Sequence, residues 1–202
     1  AYLYSTETGD LLQTFKGTGV ADLMGWSVAL DGNLALVGAK LADTTNGNNS
    51  GAAYLYDTDT GNLLHTFQGT QEGSELGYSV ALSGNRALVG AWEEDYNGPD
   101  SGAAYLYDTD TGNLLQTFYG SAPGDFLGAS VALDGTRALL GAPFADINGG
   151  NSGIVALVDT DTGGVLQTFE GNAEGDQLGT SVALSGSFAL LGEINADRNG
   201  QN

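Results

Sequence analysis

Gly51-Ala52-Ala53-Tyr54-Leu55-Tyr56-Asp57-Thr58-Asp59-Thr60-Gly61 recurs unchanged at 102–112 and returns as Gly153-Ile154-Val155-Ala156-Leu157-Val158-Asp159-Thr160-Asp161-Thr162-Gly163. Ala1-Tyr2-Leu3-Tyr4 opens the chain as the truncated first copy. Aligning Ala1, Ala53, Ala104 and Val155 gives steps of 52, 51 and 51 residues, the additional residue falling in Asp43-Thr44-Thr45-Asn46. A fixed period of this size marks an array of units that bury their apolar faces only by stacking on one another. All 202 residues therefore read as one array, with units at about 1–52, 53–103, 104–154 and 155–202.

Within a unit, Ser79-Val80-Ala81-Leu82 leads through Ser83-Gly84-Asn85 into Arg86-Ala87-Leu88-Val89-Gly90-Ala91, two apolar runs joined by a hairpin-type turn. After a polar loop, Ala103–Tyr107 and Leu114–Phe118 form a second pair across a turn in which Gly112 supplies the left-handed conformation. The second and third runs are apolar on both faces, as in covered strands, and Leu-Leu-Gln-Thr-Phe carries the polar positions of an outer edge. The expected fold is all-β, a β-propeller of four-stranded antiparallel blades, three whole and two half blades in this chain. The next copy of Ala1 would fall at position 206, so four units need 205 residues and the chain has 202. Either the two halves meet in a four-bladed ring, or the segment belongs to a longer array or pairs with a second copy; the latter is the expectation.

Five Lys and Arg stand against 25 Asp and Glu, a formal charge of -20. Phosphate backbones and anionic lipid are repelled by such a surface, which excludes nucleic acid as a partner. Spread carboxylates or bound cations would relieve the self-repulsion, so divalent metal enters the reading early. No cysteine is present, which removes disulfides, thiolate nucleophiles and Cys-based zinc sites. No apolar run reaches about 18 residues, so no membrane insertion by a helix is expected. The chain begins at Ala1 inside an apolar stretch, which reads as a processed or excised start without a signal peptide of its own.

The unit resembles the bacterial branch of the FG-GAP repeats, related to the blades of the integrin α-subunit propeller. The likeness rests on Gly-x-Ser-Val-Ala-Leu, a short turn, Val-Gly-Ala and an Asn-Gly-x-x-Ser-Gly-x-x-Tyr stretch. Where that family has Phe-Gly, this chain has Met24-Gly25, Leu76-Gly77, Leu127-Gly128 and Leu178-Gly179; of the Gly-Ala-Pro positions only Gly141-Ala142-Pro143 matches fully. The resemblance implies a propeller and an extracellular or cell-surface location. It does not carry over the integrin-type calcium site, because Asp31-Gly32-Asn33, Ser83-Gly84-Asn85, Asp134-Gly135-Thr136 and Ser185-Gly186-Ser187 are turns too short and too neutral for a metal cage.

A different loop repeats oxygen donors: Asp43, Asn46 and Asn48 with Ser50; Asp95, Asn97 and Asp100 with Ser101; Asp146, Asn148 and Asn151 with Ser152; and Asp197 with Asn199. Oxygens around a glycine suit calcium, bound weakly where each loop offers one or two carboxylates. The same residues are also what turns are built from. Asp57/Asp59, Asp108/Asp110 and Asp159/Asp161 repeat in equivalent hairpins, which gives a pair no asymmetry with which to divide acid and base roles. His65, the only histidine, has Gln13, Gln116 and Gln167 as its counterparts and no nucleophile elbow beside it. Trp26 and Trp92 vary where the framework does not. They read as ligand-binding aromatic platforms near loops, with core filling the alternative for Trp26.

The expected function is therefore a non-enzymatic extracellular structural or adhesive module, calcium-stabilised and self-assembling, whose partners are copies of itself or another surface protein. A carbohydrate-binding, lectin-like propeller that takes glycans is the alternative.

Overall fold

The structure is a computed structural model and describes residues 1–17, 19 and 21–195. Among these residues it is built from sixteen strands and no helix. Asp197 and Asn199 lie outside the described residues. A first hairpin joins β1 (Tyr2–Tyr4) to β2 (Leu11–Thr14). Three four-stranded sheets follow. The first holds β3 (Ser27–Asp31), β4 (Leu34–Ala39), β5 (Ala52–Asp57) and β6 (Leu63–Gln68). The second holds β7 (Leu76–Ser83), β8 (Arg86–Ala91), β9 (Ala103–Asp108) and β10 (Leu114–Tyr119). The third holds β11 (Ser130–Asp134), β12 (Arg137–Ala142), β13 (Ile154–Asp159) and β14 (Val165–Glu170). A last hairpin pairs β15 (Ser181–Ser185) with β16 (Phe188–Gly192). Each four-stranded sheet is antiparallel in sequence order, so the expected blade is observed three times, with half a blade at either end. The arc is not closed: the end hairpins remain separate two-stranded sheets.

Local sequence explains each blade. Gly84 takes φ 56 in the two-residue turn between β7 and β8, a conformation that a Cβ disfavours. At the outer hairpins Asp57, Asp108 and Asp159 accept hydrogen bonds from the backbone N–H and the hydroxyl of Thr60, Thr111 and Thr162. These bonds hold the three carboxyls below the usual carboxylate range. The register slips at Leu55/Tyr56, Leu114/Gln116 and Leu157/Val158, a bulge at the same place in each blade that adds twist to the outer pair.

The core lies between blades rather than within one. Leu36, Leu55 and Phe67 of the first sheet pack on Val89, Tyr105 and Tyr107 of the second, with the Phe67 and Tyr107 rings stacked at 4.1 Å. Leu88 and Leu106 do the same against Leu133, Leu140 and Val158 of the third. Each fully buried leucine of this kind contributes about 1.5–3 kcal/mol, an amount that no isolated blade could collect. The first strands β3, β7, β11 and β15 run beside one another, and the fourth strands face solvent.

A repeated latch holds the boundaries. The hydroxyls of Ser27, Ser79 and Ser130 donate to the carbonyls of Gly77, Gly128 and Gly179 in the next blade at 2.7, 2.7 and 2.6 Å. A Cβ on Gly90 would run into the Gly128 carbonyl oxygen, so glycine there is a condition of the close approach.

Candidate functional site

Framework positions repeat, so a site able to select a ligand has to be sought where the blades differ. Three positions meet that condition at one end of the inner strands: just before Ser27, Ser79, Ser130 and Ser181 (Trp26, Tyr78, Ala129, Thr180), just after the second strand (Lys40, Trp92, Pro143, Ile194), and two residues before Gly25, Gly77, Gly128 and Gly179 (Leu23, Glu75, Phe126, Gln177). The structure brings them together. Trp26 and Tyr78 have ring centroids 5.8 Å apart; Tyr78 stacks on Trp92 at 4.2 Å; Trp92 meets Phe126 at 4.9 Å; Phe126 meets Phe144 edge-on at 5.2 Å. Five rings thus form one continuous row that crosses two blade boundaries.

Charge is set into the row. Lys40 Nζ lies 4.5 Å from the Trp26 ring centroid and 5.1 Å from that of Tyr78, a cation–π arrangement, and pairs with Glu75 Oε2 at 2.8 Å. Trp92 Nε1 donates to the same oxygen at 2.8 Å. The pair is largely buried, with both side chains 12% exposed, so it is held in place rather than sampling solvent. Burial raises the Glu93 carboxyl above its usual range, and the neighbouring Glu75 and Asp100 charges add to the shift. Burial likewise raises the Tyr78 hydroxyl, partly offset by Lys40.

Leu23, Glu75, Phe126 and Gln177 all take positive φ, at 54, 52, 55 and 57. Non-glycine residues seldom occupy that region, and here the left-handed turn aims Glu75 and Phe126 into the row. A depression lined by Tyr78, Trp92, Phe144, Gln177, Thr180 and Ile194 lies beside it, chiefly apolar with a few polar groups at its margin.

Both tryptophans singled out in the sequence therefore belong to one surface. They differ in access: Trp26 is 51% exposed, whereas Trp92 is partly buried with Tyr78 and Phe126 against it. Tyr78, Phe126, Phe144, Lys40 and Glu75 were missed as members of the site. The usable signal was departure from the repeat at the three aligned positions and, for Phe144, at the next one along, where the other blades have Leu41, Glu93 and Asn195; that those positions share one end of the sheets needed the pairing register.

The polar loops do structural work. Asp43, Asp95 and Asp146 accept the backbone N–H of Asn49, Asp100 and Asn151 at 2.9, 2.8 and 2.7 Å, each donor residue having positive φ. The amides of Asn46, Asn97 and Asn148 donate to the carbonyls of Gly69, Gly120 and Gly171 at 2.7, 2.7 and 2.9 Å, tying the loop to the end of the fourth strand. Asn48 donates to Glu72 at 3.3 Å. Among the described residues no three His, Cys, Asp or Glu side chains cluster as metal ligands. His65 sits on the outer strand β6, its ring 6.3 Å from that of Phe67 and Nε2 3.3 Å from the Asp110 carbonyl.

A family model described as FG-GAP repeat matches residues 18–56, 68–107 and 119–156, more than half of the chain. The chain belongs to the FG-GAP repeat family. The dipeptides that name the FG-GAP repeat acquire a physical meaning here: the glycine of the first, as in Leu127-Gly128, presents the carbonyl against which the glycine of the second, as in Gly90-Ala91, is packed. No curated protein matches the chain. Among solved structures it is similar to the computationally designed Ika4 protein, at 18% identity and TM-score 0.61, covering 88% of this chain and 89% of that one. It is also similar to the computationally designed Ika8 protein, at 19% identity and TM-score 0.64, covering 94% of this chain and 48% of that one. At such identities the likeness speaks for the fold alone.

Proposed function

We propose that this FG-GAP array is a non-enzymatic, extracellular or cell-surface adhesive module that docks a protein partner on the row Trp26–Tyr78–Trp92–Phe126–Phe144. The observation that carries this reading is the row itself: five rings drawn from successive blades, at the positions where the repeats diverge, beside a fixed Lys40–Glu75 pair. Rigid aromatic surface of this kind gives large contact area at small entropic cost and supplies the anchors of protein interfaces. The acidic surface, net -20, favours a partner with basic residues around its apolar contact. The variable polar residues around the row bring together no acid, base and nucleophile set, which supports a binding role over catalysis.

A glycan partner is the second reading, favoured by the exposure of Trp26, whose indole could stack on a sugar ring. Trp92 supports it less, having neighbouring rings on it.

The labelled chain applied to arrayed extracellular-matrix proteins and to a glycan array separates the two. The expected result is capture on protein, weakened at least about tenfold, or 1.4 kcal/mol, by Trp26→Ala and unchanged by Leu115→Ser on the outer strand β10. Capture on glycans alone selects the second reading, and equal binding by Trp26→Ala refutes the site.

A further inference from the structure

A second departure from the repeat lies in the middle blade, away from the aromatic row. Tyr96, in the loop between β8 and β9, stands where the third blade has Ile147 and the first has Thr44 and Thr45. Tyr119, the last residue of β10, stands where the other units have Lys16, Gln68 and Glu170. The fold brings these two positions together in more than one blade: in the first, Thr45 donates to Gln68 at 3.2 Å. In the second, the same juxtaposition stacks two phenols, with ring centroids 3.8 Å apart and planes 13° from parallel. The residue after each tyrosine fixes the backbone beneath them, since the Asn97 amide donates to the Gly120 carbonyl at 2.7 Å.

Exposure separates this pair from the other tyrosines. Tyr96 is 64% exposed and Tyr119 39%, whereas Tyr54, Tyr56, Tyr105 and Tyr107 are buried. Tyr2 and Tyr4 are exposed, but their rings lie 6.4 Å apart and tilted by 43°. Among the described residues, then, Tyr96 and Tyr119 alone combine access from solvent with ring contact. A stacked pair is arranged for one reaction above others. When two phenols each lose an electron, the radicals join through ring carbons beside the hydroxyls, along orbitals that project from the ring faces. Rings already face to face make that step intramolecular and leave it little geometry to find.

We propose that Tyr96 and Tyr119 are an oxidative cross-linking site, coupled to dityrosine by a one-electron oxidant such as a haem peroxidase charged with hydrogen peroxide. Each phenol gives up one electron and its hydroxyl proton. One carbon–carbon bond then forms between the rings, and the hydrogen on each bonded carbon leaves as a proton while each oxygen regains one, which restores both phenols. The net loss is two electrons and two protons, which convert one hydrogen peroxide to two waters. The chain has no cysteine, so this bond is a covalent brace that it can form without a disulfide. It would tie the loop that begins at Trp92 to the end of β10, close to one end of the aromatic row. The inference rests on the second blade alone and is independent of the adhesive reading and of any ligand of the row.

The 202-residue chain is treated with peroxidase and hydrogen peroxide and, in parallel, with a small photochemically generated one-electron oxidant that needs no docking. Cleavage before aspartate separates residues 95–99 from 110–124. These two peptides are expected to remain joined, lighter by two hydrogen atoms, in a product that keeps the mass of one chain at every protein concentration. Tyr96→Phe and Tyr119→Phe each keep a stacked ring, and each should abolish the joined peptides while leaving the melting temperature of the untreated chain unchanged. Unfolding in urea before oxidation should lower the yield at least about tenfold, because the stack is what positions the radicals. The coupled product should melt higher than the untreated chain, and neither phenylalanine variant should gain that shift. Absence of the joined peptides with both oxidants overturns the proposal, as does an equal yield from the unfolded chain or a link found only between copies.

Discussion

Leu34→Arg should stabilise the protein, for a reason that the repeats themselves supply. In the second blade Arg86 reaches across the boundary to the hydroxyl of Thr160 and the carboxylate of Asp161. One boundary earlier the equivalents are Leu34, Thr109 and Asp110, and there Thr109 Oγ1 is buried without a hydrogen-bond partner. An unsatisfied buried hydroxyl costs about 1–3 kcal/mol. The exposed Asp110 carboxylate adds up to about 1 kcal/mol as an ion-pair partner. Against this stands the partial burial of Leu34 beside the first interblade core, worth about 1 kcal/mol and largely retained by the arginine stem. The net expectation is about 1 kcal/mol, a rise in melting temperature of about 2–4 °C for a chain of this length. Urea denaturation followed by circular dichroism measures it, and a double-mutant cycle gives the decisive sign. Thr109→Val should stabilise the native sequence by removing the orphan hydroxyl and should destabilise the Leu34→Arg background by removing its new partner. Equal effects of Thr109→Val in both backgrounds would refute the reasoning.

Glu93→Gln should raise the melting temperature at pH 7 and leave it unchanged below about pH 4. A carboxyl whose folded pKa is raised above its unfolded value of 4.5 penalises folding only once pH exceeds that value, so a stability difference that grows from pH 4 to 7 is the expected profile. Gly90→Ala should cost about 3 kcal/mol or more in urea unfolding, because its Cβ collides with the Gly128 backbone rather than with a side chain that can turn away; Gly84→Ala, whose Cβ meets open space, should cost less. Calcium at ten times a dissociation constant of about 1 mM should stabilise by about 1.4 kcal/mol for each loop that holds it, measured as a melting shift against chelator. With Asp43 and Asp146 already accepting backbone N–H groups, an absent shift would assign these loops to turn closure alone.

The repeat made the blades readable. Period, strand count and the covered nature of the Ala-Leu-Val-Gly-Ala strand all follow from apolar patterning, and the half blades at the ends follow from register. The site was readable only in pieces. Trp26 and Trp92 stand out as departures from the repeat, but Tyr78 lies between their rings because β3 and β7 run side by side, a long-range fact that no local pattern encodes. Phe126 and Glu75 were harder still: each occupies a left-handed backbone position where sequence would lead one to expect glycine or asparagine. The loop asparagines posed the opposite difficulty, since one composition serves both a cation and a turn. Donation from the amides of Asn46, Asn97 and Asn148 to glycine carbonyls is visible only once the fourth strand is in place.

The serine-to-glycine latch joins only adjacent repeats and is the same at the Ser27, Ser79 and Ser130 boundaries. Duplication or deletion of one 51-residue segment in a gene for such a protein would rejoin surfaces already suited to each other. Array length could then drift over generations by unequal recombination, while novelty accumulated at the few divergent positions.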